Sequence, residues 1–153
     1  MKTALALLFT VTSLLVGTNA RACCDDGWIA YQNHCYHIGY WKLLTFAEAQ
    51  DYCQNLSAYL VRLETLAENH FLKDLLNKTQ AGNAWMGLTD QEHEGIWIWI
   101  DTGIQATFSD WGPVEPNNYQ GQNEECVYFY GAVKYKWNDA MCLHKAVPLC
   151  EKE

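Results

Sequence analysis

The sequence predicts an α+β domain. Two helix-start signals, at Thr45 and Thr65, stand among apolar runs too short to be helices. Seven cysteines, in a chain that opens like an exported one, add a disulfide framework with one thiol left over.

In chain order, residues 23 to 40, CCDDGWIAYQNHCYHIGY, read as a strand hairpin turning at Gln32-Asn33-His34. Cys24 and Cys35 can staple it shut. Thr45 and Glu48 form a capping box, in which each side chain satisfies an orphan backbone donor of the first turn. Phe46, Ala49, Cys53 and Leu56 then recur at near-helical spacing. Thr65 and Glu68 repeat the device for a second helix, with Leu72, Leu75 and Leu76 on its buried side. Next come Ala84 to Leu88, AWMGL, and Ile96 to Ile100, IWIWI. The second is a continuous apolar run, consistent with a strand covered on both faces. Cys126 to Tyr130 and Val147 to Cys150 read as the last strands. The seven Trp and nine Tyr read mostly as core filler, each with a polar tip seeking a partner.

Residues 1 to 20 have the build of a secretory signal peptide: Lys2, an apolar core from Ala4 to Val16, and Thr18-Asn19-Ala20 at the cleavage site. The remaining residues, 21 to 153, read as one domain. No second apolar run approaches the roughly 18 residues that cross a bilayer, so a secreted, extracellular protein without membrane insertion is expected. Ten basic against 18 acidic residues give a net charge of −8. That balance argues against nucleic acid, which needs basic patches. Asn55-Leu-Ser57 and Asn77-Lys-Thr79 are glycosylation acceptors. Asn77 is the favoured one, because Asn55 sits beside a cysteine expected to be buried.

One stretch has no such regularity. From Glu115 to Asp139 the chain reads EPNNYQGQNEECVYFYGAVKYKWND, and its first half has little apolar periodicity. Long irregular loops inside compact domains are usually functional. Glu115, Asn117, Glu124, Asn138 and Asp139 are all oxygen donors, a hard set of the kind Ca²⁺ selects.

EPN, a Glu two residues before a Cys, and WND before another Cys resemble the C-type lectin domain of the mannose-binding type, as in secreted invertebrate C-type lectins. The resemblance runs from Cys24 to Cys150, takes in the AWMGL strand, and includes the family's longer form, with its N-terminal hairpin and a Cys four residues before Trp28. It implies two helices flanking small antiparallel sheets, with a long calcium-ordered loop. It also implies disulfides Cys24–Cys35, Cys53–Cys150 and Cys126–Cys142, which leaves Cys23 for an intermolecular bond and a disulfide-linked homodimer.

By the same resemblance Ca²⁺ is held by Glu115, Asn117, Glu124, Asn138 and Asp139, with a cis peptide before Pro116. Open metal positions would take two neighbouring hydroxyls of a mannose-type sugar, contacted by Glu115, Asn117, Glu124 and Asn138. The segment from Asn117 to Glu124 is one residue longer than the commonest family spacing, with Tyr119 in the enlarged loop beside the sugar. A second calcium position would use Asp90, Glu94, Asn118 and Glu125, although a solvated acidic face explains Asp90 to Glu94 equally well.

The role that follows is recognition of mannose-type glycans, microbial ones among them, in innate defence or agglutination. The alternative is an extracellular matrix or biomineralisation protein, or a protein-binding domain of the same family. An enzyme is not expected. The acids are committed as ionised metal ligands, and no HExxH, nucleophile elbow or phosphate loop is present.

Overall fold

The computed structural model describes residues 24–153. The expected signal peptide, its cleavage site and Cys23 lie outside the described residues.

Strands β1 (Ile29–Tyr31) and β2 (His34–Ile38) form the N-terminal hairpin. Tyr31 pairs with His34, so the turn is Gln32-Asn33 alone, with Gln32 at φ 52° and His34 already in the strand. β2 then pairs along β8 (Val147–Lys152), bringing both ends of the domain together, and β8 also takes the two-residue β3 (Tyr59–Leu60). A second group comprises β4 (Ala84–Thr89), β5 (Ile98–Trp99), β6 (Cys126–Tyr130) and β7 (Lys136–Ala140). Within it every pairing is antiparallel. The two groups are not separate sheets. A short parallel pairing, Ala84 with Val147 and Trp85 with Pro148, joins them into the path β1-β2-β8-β4-β6-β7.

Helix α1 (Phe46–Asn55) starts as its sequence dictates. Glu48 N–H donates to Thr45 Oγ1 at 3.3 Å, and Thr45 N–H donates to Glu48 Oε2 at 2.8 Å. Helix α2 (Leu66–Thr79) keeps only half of that device. Thr65 Oγ1 accepts from Glu68 N–H, but the Glu68 carboxylate turns inward to the Tyr36 hydroxyl (2.6 Å) and the Glu64 N–H (3.0 Å). The reason is packing. The Tyr36 ring is fully buried, and its hydroxyl must find a partner there.

The IWIWI run differs more from expectation. Ile98 and Trp99 pair with β4, Ile100 N–H donates to the Gly87 carbonyl of β4 at 2.8 Å, and Ile96 is 45% exposed. The chain after Trp99 folds back on the run: Trp99 N–H donates to the Ile104 carbonyl, and Ala106 N–H to that of Trp97. The run's backbone bonds are therefore divided between β4 and its own reversal. Its rings build a loop core instead, with Trp97 on Trp111 at 5.0 Å and Trp99 edge-on to Trp137 at 6.1 Å.

Two apolar clusters sandwich the β4–β6 surface. One joins α2, through Leu72 and Leu76, to Met86, Leu88, Phe129 and Trp137. The other joins α1, through Phe46 and Ala49, to Trp85 and Tyr128. Three disulfides, Cys24–Cys35, Cys53–Cys150 and Cys126–Cys142, tie the hairpin, α1 to β8, and the start of β6 to the segment after β7. Asn77 is exposed near the end of α2. Asn55 is exposed too, at the last position of α1, so burial of Cys53 does not shield it. Among the described residues no helix is long and apolar enough to cross a membrane.

Candidate metal centre

Trp137 anchors the centre. It is fully buried on β7, with Trp99, Phe108 and Trp111 edge-on to it, and its indole N–H donates to Asn69 Oδ1 at 3.1 Å. Asn138 and Asp139, the next two residues, are thereby fixed in space. In the β6–β7 register Asn138 lies opposite Tyr128, and Asp139 opposite Val127.

The irregular loop is brought to this strand by its backbone. Gly112 N–H donates to the Trp137 carbonyl at 2.8 Å, and Glu115 N–H to the Gly112 carbonyl at 3.2 Å. A Cβ on Gly112 would stand 3.2 Å from Glu115 Cγ and 3.4 Å from the Trp137 carbonyl, so a larger residue here would press on the Glu115 side chain. The Glu115–Pro116 peptide bond is cis. Beyond it Asp139 Oδ2 accepts the N–H groups of Asn117 (2.9 Å) and Asn118 (2.8 Å). A one-turn 3-10 helix, Tyr119–Gly121, follows. Glu124 closes it: Oε2 accepts the Tyr119 N–H at 2.7 Å, and its own N–H donates to Asn118 Oδ1 at 2.9 Å.

Glu115, Asn117, Tyr119, Glu124 and Asn138 thus line one cleft of about 190 Å³, joined by Tyr128 and Tyr130. Sequence reasoning had no means of finding the last two. Strand alternation marks them only as one face of β6. Asp139 sits behind the cleft, 1% exposed.

The electrostatics are those of crowded oxygens. Glu115 and Asp139 are close enough that each other's charge matters. Yet Glu115 Oε2 and Asp139 Oδ1 are both buried without a donor. Burial first, then Asp139 and the charge of Glu124, push the Glu115 carboxyl up to about 7. Burial likewise raises Glu124, against the lowering effect of the Tyr119 N–H. Among the described residues no Lys or Arg forms an ion pair with Glu115, Glu124 or Asp139. Orphaned carboxylate oxygens clustered without a cation fit a divalent metal ion. The acids alone do not suffice, since among the described residues no three His, Cys, Asp or Glu side chains are placed to hold one. The amide oxygens of Asn117 and Asn138 would have to complete the shell. At present Asn138 Nδ2 donates to the Asp139 carbonyl.

Of the residues expected at a second calcium position, only Asn118 and Glu94 are directly joined through their side chains. Asn118 Nδ2 donates to Glu94 Oε1 at 2.7 Å, and Asp90 Oδ2 accepts the Gly95 N–H at 2.8 Å. Asp90 Oδ1 is buried without a partner, and burial, then Glu94 and Glu125, raises its carboxyl. Glu125 is turned partly aside, accepting from Asn123 Nδ2 at 2.7 Å.

With fold and centre described, the class follows. Residues 42–152 match the family model of the lectin C-type domain, and the chain belongs to that family. Such domains bind carbohydrates and are not enzymes. A perlucin-like protein of Mytilus galloprovincialis is 33% identical over 121 residues, covering 78% of this chain and 76% of that one. The chain spans less than half the length of several mammalian relatives that it matches. Among solved structures, the cow CD23 carbohydrate-recognition domain, determined in the presence of a GlcNAc2Man3 oligosaccharide, aligns with a TM-score of 0.74 at 34% identity, covering 84% of this chain and 95% of that one. A calcium-independent type II antifreeze protein aligns with the same TM-score at 26% identity, covering 84% and 93%.

Proposed function

We propose that this chain is a secreted, calcium-dependent lectin for mannose-type sugars, acting in defence or agglutination. The observation that carries this reading is the pair of donorless buried oxygens, Glu115 Oε2 and Asp139 Oδ1, beside the open cleft of Asn117, Glu124 and Asn138. A bound Ca²⁺ would offer open coordination positions to two vicinal hydroxyls. Around those hydroxyls, the Glu115 and Glu124 carboxylates accept hydrogen bonds and the Asn117 and Asn138 amides donate them. The alternation of acceptor and donor along EPN selects hydroxyls presented in that order. Asp139 acts from behind, holding the Asn117 and Asn118 backbone in place.

Asp90, Glu94, Asn118 and Glu125 would hold a second calcium ion, and Asn118 couples the two positions through its bond to Glu124 N–H. Cys23 joins two chains as a disulfide-linked dimer. Two sites on one molecule raise avidity by about 10²–10⁴ where both engage, which millimolar single-site affinities call for.

A second reading, a matrix or protein-binding domain that needs no calcium, is favoured by the likeness to the calcium-independent antifreeze protein. Calorimetric titration of the EDTA-stripped protein with calcium separates the two. The lectin reading expects saturable binding that Glu115→Gln weakens. No calcium binding at millimolar concentration leaves the second reading.

A further inference from the structure

The chain that leads into Glu115 and Asn117 is held by a charge network whose side chains are none of the five candidate ligands. At its centre is Asp110, five residues before Glu115. Asp110 Oδ2 accepts from Asn69 Nδ2 at 2.8 Å and from Lys73 Nζ at 2.6 Å, and Oδ1 accepts from Lys136 Nζ. Asn69 and Lys73 stand one turn apart on α2 and so share a face. Lys136 opens β7. The backbone of Asp110 meets the same strand: its carbonyl accepts the Trp137 N–H at 3.0 Å. Asn69 Oδ1 accepts the Trp137 indole N–H at 3.1 Å, which closes a ring from Trp137 through Asn69 and Asp110 back to Trp137. Burial raises the Asp110 carboxyl, but the bonds from Lys136, Lys73 and Asn69 outweigh it and hold the group below the ordinary carboxylate value.

We propose that Asp110 is a positioning residue for the metal centre, setting the register of Glu115 and Asn117 on the loop against Asn138 and Asp139 on β7. The inference rests on the calcium reading above. Trp137 directly precedes Asn138, and Asp110 leads into Glu115, so tying Asp110 to Trp137 and to α2 places both segments in one frame. Ordering a loop on binding costs conformational entropy, so a shell already in register takes calcium more tightly. Groups behind metal ligands typically contribute about 10–100-fold to metal affinity. Buried ion pairs contribute little net stability compared with apolar packing of the same volume. What two lysines on one carboxylate add here is the register of the loop.

The test measures calcium affinity by calorimetry and, in EDTA, hydrogen exchange of the Asn117 and Asn118 N–H groups that Asp139 holds. Asp110→Asn should weaken calcium binding about tenfold and speed that exchange. Lys136→Met should act in the same direction, and Lys136→Arg, which keeps a cation on Asp110, should stay close to the wild-type protein. Tyr36→Phe removes the buried hydrogen bond to Glu68 and reports lost stability alone; both readouts should stay near their wild-type values. Unchanged calcium affinity or unchanged exchange in Asp110→Asn overturns the positioning role and leaves the calcium reading standing. Losses that Tyr36→Phe matches overturn it as well, because lower stability then explains them. A wild-type protein that binds no calcium overturns both. Should Asp110→Asn fail to fold, Lys136→Met against Lys136→Arg decides.

Discussion

Asp139 accepts the backbone N–H of Asn117 at 2.9 Å, across 22 residues of chain. A strand held by core packing thereby fixes a loop that has almost no apolar contacts of its own. The same oxygen also takes the Asn118 N–H, so Asp139 is a structural clamp of the loop whether or not a metal is bound. Asp139→Asn turns an amide N–H₂ or a neutral oxygen toward two N–H donors. Hydrogen bonds to charged groups contribute about 1.5–3 kcal/mol, so unfolding free energy in EDTA should fall by about that amount. Urea titration of the two proteins checks it. An unchanged midpoint would mean the loop is held by other bonds.

Specificity is expected to follow the order of acceptor and donor at Glu115 and Asn117. The double change Glu115→Gln with Asn117→Asp reverses that order. Preference should move from mannose toward galactose in competition with free monosaccharides. An unchanged inhibitor ranking would put specificity outside EPN.

The raised Glu115 carboxyl makes a prediction about pH. Its value of about 7 exceeds that of the unfolded chain, so between about pH 4.5 and 7 the metal-free folded state holds a proton that the unfolded state has lost. Stability in EDTA therefore falls as pH rises through this window. Glu151, buried and pushed up to about 8, adds to the fall in the same direction. Calcium competes with the same protons, so its stabilising effect should grow over that range. Melting temperature against pH, with calcium and with EDTA, should give two curves that diverge upward from about pH 5. Parallel curves would remove the linkage.

The leftover thiol predicts a covalent dimer. Non-reducing electrophoresis of the native protein should show a dimer band that Cys23→Ser abolishes. A monomer band for both proteins would mean that Cys23 is free or capped.

Much of the frame was legible from residues alone. Thr45 and Glu48 announced α1 because a capping box is a local bargain between four neighbouring residues. Thr65 and Glu68 announced α2 equally well. The fate of the Glu68 carboxylate, however, depended on Tyr36, which is 32 residues away. IWIWI forms only a short strand because an apolar run reports burial, not its backbone partners, and the loop after Trp99 claimed part of them. The parallel seam between Ala84 and Val147 is a long-range pairing with no signature in either strand. At the candidate centre, residue types and order named the oxygen donors. They could not reveal that Asp139 would clamp the loop from behind, nor that Tyr128 and Tyr130 would line the cleft. Those roles come from the β6–β7 register, which only the folded chain displays.

The most direct measurement is retention on mannose-agarose in calcium followed by elution with EDTA. The account predicts that the protein binds in calcium, is released by EDTA and by free mannose, and that Glu115→Gln passes through unretained. Retention that EDTA does not reverse, or passage through the column in millimolar calcium, would contradict it.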